Sequence, residues 1–206
     1  MTQHHRTKCK LYKDYIDTLY GSSLPTNIEA VPFIPVRAFK NFELKSIPSE
    51  DVFKVLYSSG TTGASSKIFL DRKTARAQSK KLIEIFGDAF GANRFPMLII
   101  DAESTVRDRD HFSARTAAIN GFSFFSKKRE FALNDDLSIN YERVARFLEE
   151  NRSAKIFVFG FTFLIWQCLV HQVNARSLDL DFSNAFILHG GGWKKMDKQK
   201  ISNEKL

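Results

Sequence analysis

The sequence predicts an α/β protein with a mainly parallel sheet flanked by helices. Three observations carry that reading. From residue 51 onward, short apolar runs rich in β-forming residues alternate with helical stretches of about three turns, the pattern of strand–helix–strand units. The chain of 206 residues is 43% hydrophobic and 26% charged, ordinary for a globular protein and too apolar for a disordered one. Its one compositional excess is 20 Phe, which suggests bulky strands in a core.

The elements follow in order. Residues 10–20 (KLYKDYIDTLY) place Leu11, Tyr15, Ile16 and Leu19 at helical spacing, a short amphipathic helix. Four of the five prolines (25, 32, 35 and 48) fall between Gly21 and Pro48. Because the residue before proline is biased to extended conformations, this segment reads as an irregular arm. Residues 1–50 thus form an N-terminal helix and Pro-rich arm, and 51–206 an α/β domain. Within the latter, Val52–Tyr57 is an apolar run, the loop SSGTTGASS follows, and Lys67–Leu70 reads as a second strand. A helix over about 74–90 carries Leu82, Ile83, Ile85, Phe86 and Phe90 on a wide apolar face. Next come a buried strand at 97–101 (MLIID), a helix near 112–119 and the apolar run GFSFF at 121–125. A helix at 140–150, a strand at 155–161, a helix at 162–173 and a strand at 185–189 (AFILH) close the series.

Several function classes are excluded or weakened. The longest apolar stretch, Ile156–Trp166, is far short of the roughly 20 residues a membrane span needs. The first ten residues are polar and basic, without the apolar segment of a secretory signal. Cys9 and Cys168 lie far apart, which rules out a disulfide scaffold or a Cys-rich zinc site and fits a reducing cytoplasm. The net charge of +8 is concentrated at the ends. Residues 1–13 hold Arg6, Lys8, Lys10 and Lys13 with no acid among them, five lysines after residue 193 face only Asp197 and Glu204, and the middle is close to neutral. Charged ends of this kind are solvated ends, and no basic stripe interleaved with aromatics marks a nucleic-acid surface.

The loop Ser58–Lys67 is the strongest chemical signal. Six hydroxyl side chains and two glycines stand between two apolar runs, with a lysine at the far edge. Glycine permits close backbone approach, so successive N–H groups can point at an anion; hydroxyls add donors and Lys67 a full charge. The set suits a polyphosphate. It is not a Walker A loop, since Gly60 and Gly63 are three apart and the residues after Lys67 read as strand. The same composition also suits a plain polar hairpin. Asp101, Glu103, Asp108, Asp110 and His111 follow a strand but lack metal-ligand spacing and read as a solvated loop. Ser113 and Arg115 at a helix start are accounted for by capping and salt-bridging. Cys168 and His171, on an apolar helix, read as a core thiol and a helix-face residue.

VPFIPVRAFK at 31–40, SSGTTGASSKIFLD at 58–71, RDHFSAR at 109–115 and LHGGGWKK at 188–195 together resemble the acyl-protein synthetase family of the LuxE type, within the adenylate-forming superfamily. Ser66 stands where the superfamily's loop usually has proline before the lysine. The resemblance implies the fold of part of the N-terminal domain of adenylate-forming enzymes. It also implies an ATP-dependent ligase: a fatty acid is activated as acyl-AMP, moved to a protein cysteine, and handed to a partner reductase that makes an aldehyde. By that likeness Ser58, Ser59, Gly60, Thr61, Thr62, Gly63 and Lys67 hold the triphosphate, with Mg²⁺ bridging phosphates and no protein metal ligand assigned. His189, Gly190, Gly191, Gly192 and Trp193 match the glycine loop that lines the adenosine and acyl pocket.

Two other readings stay open. HGGG also resembles the oxyanion-hole motif of esterases, whose G-x-S-x-G nucleophile elbow is absent from these residues. A glycine turn with Trp193 as a packing residue is the plainer alternative. The superfamily's later features (a Thr-Glu pair for Mg²⁺, an Asp for the ribose, a mobile-domain lysine and the acceptor cysteine) find no match here, and Cys9 and Cys168 do not fit the acceptor's surroundings. The expectation is therefore a partial module of an acyl-activating enzyme, with a non-catalytic nucleotide-binding fragment as the alternative.

Overall fold

Two near-continuous apolar segments become neighbouring parallel strands: β3 (Phe95–Ala102) and β5 (Ile156–Phe161). Strands buried on both faces need no polar alternation, which is why these two read as unbroken hydrophobic runs. The computed structural model describes residues 2–21, 23, 27–58, 65–107, 113–193, 198 and 200–202. Two compact units divide the chain: Met1–Lys81 with His111–Ala114, and Leu82–Asp110 with Arg115–Leu206.

The second unit is an α/β sandwich around a four-stranded sheet of order β4-β3-β5-β6, every pair parallel. Here β4 is Ser126–Leu133 and β6 is Ala185–Gly190. Alternate residues sort to the two faces. Leu98, Ile100, Ile156 and Val158 pack with Val144, Phe147 and Leu148 of α7 (Tyr141–Glu150). On the same side lie α8 (Thr162–Leu164), a π-helical segment (Ile165–Val170) and α9 (His171–Ala175), with Leu164, Ile165 and Leu169 buried. Met97, Ile99, Phe157 and Phe159 face the other way, against Phe86 of α4 (Arg72–Phe90) and Ile119 of α6 (Ala114–Phe122). The phenylalanine excess is spent here: Phe86 stacks on Phe125 at 3.7 Å between ring centres, and Phe157 on Phe186 at 5.2 Å. A short helix α5 (Ser104–Arg107) follows β3 directly.

The first unit holds α1 (Thr2–Lys8), α2 (Lys10–Tyr20), α3 (Ala38–Asn41) and an antiparallel hairpin of β1 (Lys54–Tyr57) and β2 (Lys67–Leu70). An Arg6–Asp17 ion pair of 2.6 Å and a His5 Nδ1–Ser46 Oγ hydrogen bond of 2.8 Å fix α1. At the start of α4, the Asp71 carboxylate accepts from the Thr74 N–H at 2.6 Å. This is the short acceptor a helix N-terminus requires.

Most sequence-predicted elements are present with ends shifted by a few residues. Two differ in kind. α1 has no apolar periodicity, and the Arg6 and His5 contacts hold it instead. The run GFSFF is not strand: Gly121 and Phe122 end α6, and Ser123–Phe125 form a 3₁₀ turn. The strand begins only at Ser126, and its first half, SKKRE, is charged, with Lys127, Lys128 and Arg129 exposed, because β4 lies at the edge of the sheet. Charge at an edge discourages pairing with other chains, and it also hides the strand from a hydrophobicity reading.

Candidate functional site

The hydroxyl-rich loop lies in a hairpin of the first unit. Tyr57 pairs with Lys67 as the last register step of β1 and β2. One residue further, the Ser58 N–H donates to the Ser66 carbonyl at 3.1 Å, and the Ser66 N–H donates to Ser58 Oγ at 2.8 Å. These two bonds close the neck of the loop. Ser66, at the position where the superfamily's loop usually has proline, supplies an N–H that proline lacks. Lys67 opens β2 with its amine 3.5 Å from Glu43 Oε1, an exposed and weak ion pair. Ser59, Gly60, Thr61, Thr62 and Gly63, predicted to hold phosphate, lie outside the described residues, as do Asp108, Asp110 and His111.

In the second unit, parallel strands bring Ala102, Leu133, Phe161 and Gly190 to one edge of the sheet. The carboxyl edge is where open α/β sheets place ligand sites. Gly190 pairs with Phe161, and the chain then turns through Gly191 (φ 81°) and Gly192 (φ 67°), the left-handed region that glycine adopts without strain. A Cβ on Gly191 would sit 2.3 Å from the Phe161 ring, so this backbone lies flat on an aromatic of its own chain. Trp193 is 8% exposed and meets Trp166 edge-on at 5.7 Å. Half-buried His189 approaches Thr162 Oγ1 at 3.0 Å through Nδ1, and the same hydroxyl donates to the Gly190 carbonyl at 3.0 Å.

A second polar group stands at the same edge. Asp101, expected in a solvated loop, is the penultimate residue of β3 and only 2% exposed. Its carboxylate accepts from Arg115 Nε at 2.9 Å and from the Arg115 terminal nitrogen, forming a bidentate pair. It also accepts from the Thr105 hydroxyl at 2.7 Å and the Ala102 N–H at 2.8 Å. Arg115 thus makes the salt bridge its position suggested, and that pair is what lets a carboxylate stay buried. Thr162 and Thr105 are the residues that sequence reasoning passed over, and Asp101, read there as part of a solvated loop, is instead the buried partner of Arg115. The available signal was position, because Asp101 and Thr162 stand where apolar strands end.

Cys168 is buried in the π-helical segment, and burial, aided by the nearby Asp101 carboxylate, pushes its thiol up from the ordinary cysteine value. A raised thiol is protonated and poorly nucleophilic at neutral pH, as expected of a core residue. Among the described residues no group of three His, Cys, Asp or Glu could hold a metal ion. Asp101 is already fully engaged, so these residues do not fit a Mg²⁺ cage. No described helix is long and apolar enough to cross a membrane.

Comparison with known proteins completes the picture. No curated protein matches the chain. A solved structure of the luciferase-like enzyme from the nonluminescent mealworm Zophobas morio aligns at 17% identity with a TM-score of 0.37, too distant to carry an argument. That alignment covers 89% of this chain and 40% of the mealworm protein, so the present chain spans well under half of that structure's length. The family model for acyl-protein synthetase, LuxE, matches residues 1–206, the full sequence given. With a family match of that extent, this chain belongs to the LuxE acyl-protein synthetase family.

Proposed function

We propose that the protein to which this chain belongs activates a fatty acid with ATP and passes the acyl group to a protein thiol. A carboxylate oxygen attacks the α-phosphorus, the bond to the β-phosphate oxygen breaks, and pyrophosphate leaves with acyl-AMP remaining. A cysteine thiolate then attacks the acyl carbon, the acyl–phosphate bond breaks, and AMP departs with a thioester formed. A reductase carrying its own hydride donor is the partner that consumes the thioester, releasing fatty aldehyde and the free thiol. The observation that carries this reading is the family match across the whole sequence given.

The Ser58–Ser66 neck holds the loop's two ends together while Lys67 sits at its base. A triphosphate would draw Lys67 away from Glu43, a pair weak enough to give way at little cost. Neutralising the phosphates as charge redistributes onto pyrophosphate is the electrostatic contribution such a loop makes. The His189–Trp193 loop is the proposed wall of the adenosine and acyl pocket. Mg²⁺ is proposed to arrive on the triphosphate, with most of its coordination from phosphate and water. No step is assigned to it.

The test is fatty-acid-dependent exchange of labelled pyrophosphate into ATP, with the gene product that contains this chain. Exchange with a long-chain acid, and loss of at least about tenfold in Lys67→Ala, are the expected results. Absence of exchange with every chain length tried, alongside an ATP-dependent thermal shift, would leave a nucleotide-binding module without this chemistry. Absence of both removes the nucleotide reading.

A further inference from the structure

We infer that Thr162 is a positioning residue that fixes the tautomer of His189, leaving Nε2 as a hydrogen-bond acceptor for a donor group on the ligand of the glycine loop. The ligand half of this inference rests on the nucleotide reading above; the tautomer half does not.

The reasoning begins with one proton. Thr162 Oγ1 lies 3.0 Å from two groups, the Gly190 carbonyl and His189 Nδ1. A hydroxyl has a single hydrogen to donate but can accept more than one bond. The carbonyl can only accept, so the Thr162 proton goes to Gly190, and the contact with His189 is made by the imidazole donating Nδ1–H. Neutral imidazole has one N–H, and with that proton on Nδ1 the Nε2 atom is a bare lone pair.

The surroundings hold this arrangement in place. Thr162 is 4% exposed and stands at the junction of β5 and α8, where the strand fixes its backbone. A β-branched side chain has few rotamers, and both of its partners belong to the next strand, paired in register through Phe161 and Gly190. The consequence is chemical selectivity at the sheet's carboxyl edge. In its neutral form an imidazole protonated at Nδ1 accepts at Nε2 from an amino or hydroxyl group and repels the lone pairs of a phosphate oxygen. His189 thereby recognises the nucleoside end of a nucleotide, and the phosphates fall to other donors.

The test reads the tautomer directly. The full chain is labelled with ¹⁵N-histidine, and long-range ¹H–¹⁵N spectra of the imidazoles are recorded near neutral pH, with His189 assigned by loss of its signals in His189→Gln. Wild type and Thr162→Ser are expected to show the Nδ1–H form, and Thr162→Val the Nε2–H form. An Nε2–H His189 in wild type, or a Thr162→Val spectrum like wild type, overturns the assignment. Thr162→Ser keeps the hydroxyl, so it guards against a mere packing effect. Titration with ATP supplies the second readout: Thr162→Val should weaken binding about fivefold, the worth of one hydrogen bond, with Thr162→Ser near wild type. An Nδ1–H tautomer with ATP affinity unmoved by Thr162→Val overturns the recognition role. No ATP binding by wild type defeats the nucleotide reading while the spectra still decide the tautomer.

Discussion

The three glycines between His189 and Trp193 are not equivalent. Gly191 combines a φ of 81° with an aromatic ring where a Cβ would go, whereas Gly190 has ordinary backbone angles and open space. Gly191→Ala is therefore expected to cost about 2–3 kcal/mol of unfolding free energy from backbone strain and the Phe161 clash together. Gly190→Ala should stay within about 0.5 kcal/mol. Denaturant titration of the two variants compares them, and equal costs would mean the loop relaxes freely. Cysteine chemistry offers another check at this scale. With its thiol pushed up by burial first and Asp101 second, Cys168 should resist alkylation in the folded chain at pH 8 and react readily in urea. Peptide mapping after iodoacetamide treatment measures it; fast labelling of native Cys168 would show that the site opens.

At the scale of elements, the two edges of the parallel sheet differ in their protection. β4 carries Lys127, Lys128 and Arg129 in its exposed half, and Lys128 pairs with Glu150 of α7 at 2.7 Å. β6, with the sequence AFILHG, carries no Lys, Arg, Asp or Glu along its length, and Ile187 is 46% exposed. Uncharged edges of this kind template intermolecular pairing. Ile187→Lys is expected to lower aggregation of this chain on warming without loss of its α/β circular-dichroism signal. Light scattering follows the effect, and an unchanged aggregation rate would place the sticky surface elsewhere. The π-helical turn is the other unusual element. It inserts an extra residue into the helix following β5, in the stretch that holds Trp166 and Cys168. Such bulges are frequent at functional sites, and here the bulge lies in the helix that Thr162 begins.

For the whole molecule, acid is the natural stress. In the first unit, burial and then the neighbouring His4 lower the His5 imidazole below its ordinary value, and Asp17 and Asp71 are lowered by hydrogen bonds from Lys13 and Thr74. In the second, Asp136, Glu150 and Asp181 are lowered by bonds from Ser138, Lys128 and Ser183. A group whose folded value is depressed contributes stability that is complete above its unfolded value and is lost as pH falls through the folded one. Stability should therefore hold above about pH 7. It should slip slightly below about 6.5 as His5 takes a proton, and fall again below about 4 as the carboxylates protonate. Thermal melts across that range test the order, and His5→Gln should remove only the first step. A chain most stable near pH 4 would contradict it.

Much of this architecture is written locally. Val144, Phe147 and Leu148 recur at helical spacing after Asn140, whose side chain caps α7 by accepting from the Arg143 N–H, so that helix was legible without its partners. The unbroken apolar runs of β3 and β5 announced a doubly covered parallel sheet in the same way, and the loop Ser58–Ser66 announced a turn between strands. What only the tertiary structure decided was pairing between distant residues. The order β4-β3-β5-β6, the Asp101–Arg115 bridge and the Thr162–His189 bond, 27 residues apart, all depend on which strand lies beside which. Hydrophobic periodicity reports the face a residue turns to the core, a property of a few neighbouring positions. It carries no record of register across a sheet, and register sets where protons and charges meet.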